Sequence, residues 1–190
     1  MNWVEHFKLI RTKLSRNIGI ICRLKYKLPP RALRDLYTSL IQPYLDYCNN
    51  VWGRNYDVHL EPIFKLQKKA IRVITKSNYM EHTSPLFLNS KLLKLRDINK
   101  LQLGCFMYQY TTNLLPKCFE NYFINRNEVH NHNTRTSNNL SIATYRTNLK
   151  YFSLKVAGPI LWNSLDKKIK ESQSINIFKI RLKNELLSHY

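Results

Sequence analysis

Acidic residues are scarce in this chain, and glycine is scarcer. Only 12 of the 190 residues are Asp or Glu, against 31 Lys or Arg, which leaves a formal net charge of +19. The acids are scattered and no Asp-Asp occurs, so nothing suggests a two-metal catalytic centre. Four glycines are too few for hairpin-rich β architecture. No GxGxxG and no P-loop occurs, so a nucleotide phosphate cradle is absent, and there is no GxSxG nucleophile elbow. Cys22, Cys48, Cys105 and Cys118 lie far apart with no CxxC. No stretch approaches the ~20 apolar residues that a membrane span needs. Residues 1–14, interrupted by Glu5 and His6, lack the unbroken apolar core of a signal peptide. The cysteines therefore read as reduced thiols of an intracellular protein, nuclear or cytoplasmic, with no membrane partner. Neither an internal repeat nor a low-complexity tract is present.

What is present is helical periodicity. Hydrophobic residues make up 44% of the chain, enough for a core. Trp3, Phe7, Ile10, Leu14, Ile18 and Ile21 step by three or four, and Pro29-Pro30 should end that helix. A wide apolar stripe from Leu33 to Trp52 predicts a second helix, kinked or broken at Pro43 and closed by Gly53. A third should span about 58–76, with Ile63, Leu66, Ala70, Val73 and Ile74 buried. After a turn at Ser84-Pro85, a fourth should span about 91–112, with Leu95, Ile98, Leu101, Cys105 and Tyr108 inward. The Asn- and Thr-rich stretch 125–148 reads as loop, with room for short strands. Residues 151–165 are apolar but interrupted by Gly158-Pro159. A last amphipathic helix should start after Ser174, a good N-cap. The expected fold is mainly α: a helical bundle over 1–115, a polar loop-rich connector over 116–150, and a less regular C-terminal helical lobe over 151–190.

Charge placement says more than charge count. On the first helix Lys13, Arg16, Arg23 and Lys27 fall opposite the apolar face. On the third, Lys65, Lys68, Lys69, Arg72 and Lys76 form one stripe, with no acid between Lys65 and Lys76. Like charges at that spacing repel, and a phosphate backbone removes the penalty while releasing counterions. Arg135, in the polar loop, is divided between a phosphate contact and a loop-stabilising donor. Tyr26, Tyr37, Tyr44, Tyr47, Trp52 and Tyr56 interleave with the cations, but most lie on apolar faces and pack better than they stack. Trp162 reads as a structural anchor. The one metal candidate, His130 and His132 with Cys105 and Cys118, matches no common zinc spacing. No metal, cofactor or small-molecule substrate is expected.

Several strings are more specific than periodicity. Residues 13–21, KLSRNIGII, resemble the "KxSKxIGII" opening of the region after the polymerase domain in jockey-like non-LTR (LINE-type) retrotransposon reverse transcriptases. Residues 36–48, LYTSLIQPYLDYC, are similar to that family's "LYxSLIxPYLxYC"; residues 51–53 to its "VWG"; residues 66–72 to its "LQKKAIR". His132-Asn133-Thr134-Arg135 resembles a "YNTR" element, with His132 in place of Tyr. Gly158-Pro159 followed by Leu161-Trp162-Asn163-Ser164-Leu165 resembles "GPxxWNSLP", with Asp166 in place of the last Pro. Phe178-Lys179 resembles a closing "FK". These matches run in order along nearly the whole chain.

The resemblance implies a thumb-like helical region over 1–115 and the family's C-terminal region beyond it. The catalytic palm, with its paired Mg²⁺-binding aspartates, and the endonuclease would lie upstream. The implied function is non-catalytic binding of RNA, DNA or an RNA–DNA hybrid, with Lys and Arg gripping template–primer phosphates. Two other readings stay open: a protein-interaction or self-association module, and a translated fragment without function.

Overall fold

The computed structural model describes residues 3–129 and 139–190. Among them the chain is mainly helical. No β-strand forms among the described residues, and an isolated antiparallel bridge joins Asn125 to Leu140. The contacts divide it into two compact units. The first comprises residues 1–99 and Leu186–Tyr190, and the second comprises Lys100–Glu185. The division falls inside a helix.

The first unit is built on α1 (Val4–Leu24) and α5 (Asp57–Ile74), which pack along their lengths. Phe7, Ile10, Leu14, Ile18 and Ile21 of α1 are buried, as their spacing requires, while Trp3 is half-buried. α1 stops at Leu24, earlier than Pro29-Pro30, so Lys27 lies in a turn and not on the helix. The stripe from Leu33 to Trp52 is divided among α2 (Pro30–Leu40), α3 (Gln42–Asp46) and α4 (Asn49–Trp52). Pro43 sits in the first turn of α3, where its missing N–H costs nothing. A second break, at Cys48 (φ 50°), has no proline to announce it. Trp52 is fully buried, and its indole N–H donates to the Tyr47 carbonyl at 2.7 Å.

Gly53 follows α4 with a right-handed φ of −72°, so it is no left-handed cap. Its role is closeness, because a Cβ there would overlap the Asn49 side-chain amide. That amide is buried; its Nδ2 donates to the Leu45 carbonyl at 2.7 Å, and its Oδ1 accepts from Asn99 Nδ2 at 2.9 Å.

α6 (Thr83–Asn89) begins before Pro85, which stands in its first turn and not in a loop. Lys91 (φ 51°) stops α6, with Leu92 N–H returning to the Phe87 carbonyl at 3.0 Å. α7 (Leu95–Thr111) therefore starts at Leu95 instead of about 91. Tyr190 completes this unit. Its hydroxyl accepts the Lys94 backbone N–H at 2.7 Å and donates to Asp97 Oδ2 at 2.8 Å. Lys94 Nζ lies 3.8 Å from the centre of its ring. Burial pushes the Tyr190 phenol well above its ordinary pKa.

The second unit holds the later part of α7 and most of the C-terminal helices. Leu103, Met107 and Tyr108 are its buried α7 residues; Leu101 and Cys105 are half-buried. Short pieces follow: a 3₁₀ turn at Lys117–Phe119, α8 (Arg126–Val129) and α9 (Asn148–Phe152). α10 (Leu154–Ser164) runs unbroken through Gly158-Pro159, where an interruption was expected. Gly158 lets this helix pack closely: a Cβ there would come within 2.5 Å of Met107 Sδ and 3.3 Å of the Phe123 ring. α11 (Lys167–Lys170) and α12 (Ile175–Ser188), as far as Glu185, close the unit. Ser174 caps α12 as expected, its Oγ accepting the Ile177 N–H at 3.3 Å. Phe178 and Leu182 are fully buried, and Trp162 packs 6.0 Å from Phe178.

Asn163 gives the WNSL string a structural meaning. Its Oδ1 accepts the Leu140 N–H at 3.0 Å and its Nδ2 donates to the Leu140 carbonyl at 2.9 Å, as a neighbouring strand would. Asn163→Ala removes both bonds to a buried residue. It should destabilise that segment by roughly 1–3 kcal/mol. Amide exchange at Leu140 should speed up about tenfold or more, and an unchanged rate would rule out the clamp.

Candidate nucleic-acid interface

α1 and α5 enclose a groove of about 1060 Å³ on the first unit. Six cations line it: Lys8 and Arg11 from α1, and Lys65, Lys68, Lys69 and Arg72 from α5. The hydroxyls of Thr12 and Ser15 and the side chains of Pro62, Leu66 and Tyr79 complete the wall, with no acid among the lining residues. The sequence produces this arrangement directly. On α5 the core positions Leu60, Ile63, Gln67, Ala70, Ile71 and Ile74 take one face, and the basic stripe falls on the flank beside α1. On α1, residues 8, 11, 12 and 15 follow the same three-and-four spacing along the flank that meets it.

Two acids reach the groove from its rim. Glu61 Oε1 lies 3.7 Å from Lys68 Nζ, and Glu5 Oε1 lies 2.8 Å from Lys8 Nζ. Both pairs are solvent-exposed or half so, and such pairs are worth ~0–1 kcal/mol. Either is easily exchanged for a phosphate. The stripe is thus less acid-free than residues 65–76 alone suggested, since Glu61 stands just before it. Lys68 also lies over the Phe64 ring, 4.1 Å from its centre. Arg72 is fixed at the groove's end by its Nε, which donates to the Glu81 carbonyl at 3.0 Å.

Of the expected contacts, Lys65, Lys68, Lys69 and Arg72 come together in this groove, and five others do not join them. Lys76 (φ 58°) is the left-handed residue that ends α5, so it leaves the stripe. Lys13 turns the other way, 5.4 Å from the centre of the Tyr44 ring. Arg16 and Arg23 are exposed on α1 outside the groove, and Lys27 lies in the turn beyond it. Arg135 lies outside the described residues. The groove residues missed in the sequence are Lys8, Arg11 and Tyr79. Lys8 and Arg11 sit close to the apolar stripe, and only the crossing of α5 turns that flank into a wall.

Burial pushes the Cys105 thiol up to about 11, so it is protonated at neutral pH. Among the described residues no group of three or more His, Cys, Asp or Glu side chains is arranged to hold a metal ion. His130 and His132 lie outside them. No described helix is long and apolar enough to cross a membrane. Comparison of the chain with protein-family models, with curated proteins and with solved structures finds no match in any of the three.

Proposed function

We propose that this chain is a nucleic-acid-binding, non-catalytic remnant of a non-LTR retrotransposon reverse transcriptase, and that the α1–α5 groove grips the phosphates of RNA, DNA or an RNA–DNA hybrid. The observation that supports the binding reading is the meeting of six cations from two helices around one open groove with no acidic lining. Two rim acids offset only part of this charge, and the remaining cations repel one another until a polyanion arrives. Binding then releases condensed counterions, a gain that does not depend on base sequence. The strings that resemble the reverse transcriptase family support the origin.

The test is binding of the purified chain to a labelled RNA–DNA hybrid across a salt series. Six phosphate contacts predict a log–log slope of about −5. Absence of binding, or binding indifferent to salt, would overturn the reading. Primer extension by the pure protein would overturn its non-catalytic part.

A second reading has one observation in its favour. Tyr47, Val51, Tyr56 and Val58 are all exposed within one short stretch of the first unit. Such apolar exposure suits a protein partner or a second copy. Association through it would hold or strengthen as salt rises, the opposite of the phosphate case.

A further inference from the structure

The groove ends in an aromatic side chain that phosphate contact alone does not use. Lys76 stops α5 with its left-handed backbone, and the Ser77 N–H returns to the Arg72 carbonyl at 3.0 Å. A tight turn follows over residues 78–81. The Glu81 N–H donates to the Asn78 carbonyl at 3.2 Å, and Glu81 Oε2 accepts the Asn78 N–H at 3.3 Å. The Arg72 side chain ties the turn to α5 through the Glu81 carbonyl at 3.0 Å. This framework holds out the two central residues: Tyr79 is 80% exposed and Met80 87%. Solvated turn tips ordinarily carry small or polar residues, because a large ring gains nothing in water. Tyr79 also lines the cationic groove, and the Arg72 guanidinium lies 5.9 Å from its ring centre.

We infer that Tyr79 is a stacking platform for an unpaired base of a single-stranded polynucleotide whose phosphates lie along Lys65, Lys68 and Lys69. The inference rests on the groove being the phosphate site. Every base has a π-face, so a Tyr ring beside a guanidinium binds it without reading sequence. A base inside a duplex has both faces covered by its neighbours and cannot use the platform. The site therefore favours single strands, DNA or RNA, over duplex. Tyr26 and Tyr47 are also exposed but do not line the groove, which makes them controls.

The test uses the full chain with oligonucleotides carrying 2-aminopurine, made as DNA and as RNA, single-stranded and duplex. Tyr79→Ala should weaken single-strand binding roughly 5- to 150-fold on either backbone. Duplex affinity and the salt slope should stay unchanged within twofold. Wild type should quench the 2-aminopurine fluorescence, Tyr79→Phe should keep the quenching, and Tyr79→Ala should lose it. Tyr26→Ala should behave as wild type. Single-strand binding that is steeply salt-dependent but indifferent to Tyr79→Ala would overturn the platform and leave the groove standing. No binding to either form would overturn the platform and the groove together.

Discussion

Changing Lys65, Lys68, Lys69 and Arg72 to Gln is expected to lower affinity for an RNA–DNA hybrid roughly 10³-fold at about 0.1 M salt. Each phosphate contact releases close to one counterion, which at that concentration is worth slightly less than a factor of ten. Four contacts multiply. The salt slope should fall by about 3 to 4 at the same time, because slope and affinity count the same contacts. A second variant separates a groove from mere net charge. Lys13, Arg16, Arg23 and Lys27 changed to Gln lose the same four charges, but none of them lines the groove. If the chain binds as a diffuse polycation, both variants weaken equally. If the groove carries binding, the second keeps most of its affinity and slope. Lys8→Gln and Arg11→Gln then extend the test to α1, and each should remove about one unit of slope. Gel mobility or fluorescence anisotropy over a salt series reads all of these. Equal losses in the two quadruple variants would dismantle the groove argument.

The helix faces were legible because burial follows spacing. Phe7 to Ile21, Leu33 to Trp52 and Ile63 to Ile74 announce their buried sides by steps of three and four. Helix ends were less legible where the stop is a left-handed residue other than glycine. Cys48, Lys76 and Lys91 all have positive φ and nothing in their side chains to signal it. Prolines mislead: Pro85 and Pro159 suggest breaks, yet each is accommodated within a helix. A first turn does not need the proline N–H, which accounts for Pro85. Half of the groove was visible as a charge stripe on one helix. The other half depends on which flank of α1 faces α5, and that is a tertiary fact. Lys76 shows the same limit, since extending the stripe by spacing carries it two residues past the end of the helix.

Gln67→Leu should cost roughly 3–9 kcal/mol of stability, although Gln67 stands in a cation-rich stretch of the chain. By spacing it belongs with Ile63, Ala70 and Ile74, and it is fully buried among them. Its amide spends three hydrogen bonds there. Nε2 donates to the Tyr37 hydroxyl at 3.0 Å and to the Leu93 carbonyl at 2.9 Å, while Oε1 accepts the Leu95 N–H at 2.8 Å. The last of these satisfies one of the free N–H groups at the start of α7, which has no partner within its own helix. One side chain thus ties α5 to α2, to the segment before α7 and to the first residue of α7. Leucine keeps the volume but strands three polar groups on buried residues, each at about 1–3 kcal/mol. Against the 5–15 kcal/mol typical of a domain, that is a large fraction. Urea denaturation measures it. Adding Tyr37→Phe to Gln67→Leu should restore part of the loss, because it removes one of the stranded groups. The groove depends on this indirectly: Lys65, Lys68 and Lys69 flank Gln67, and their register on α1 is the register in which Gln67 is locked. A Gln67→Leu protein as stable as wild type would mean that the buried amide positions nothing, and the rigid presentation of the basic stripe would lose its physical basis.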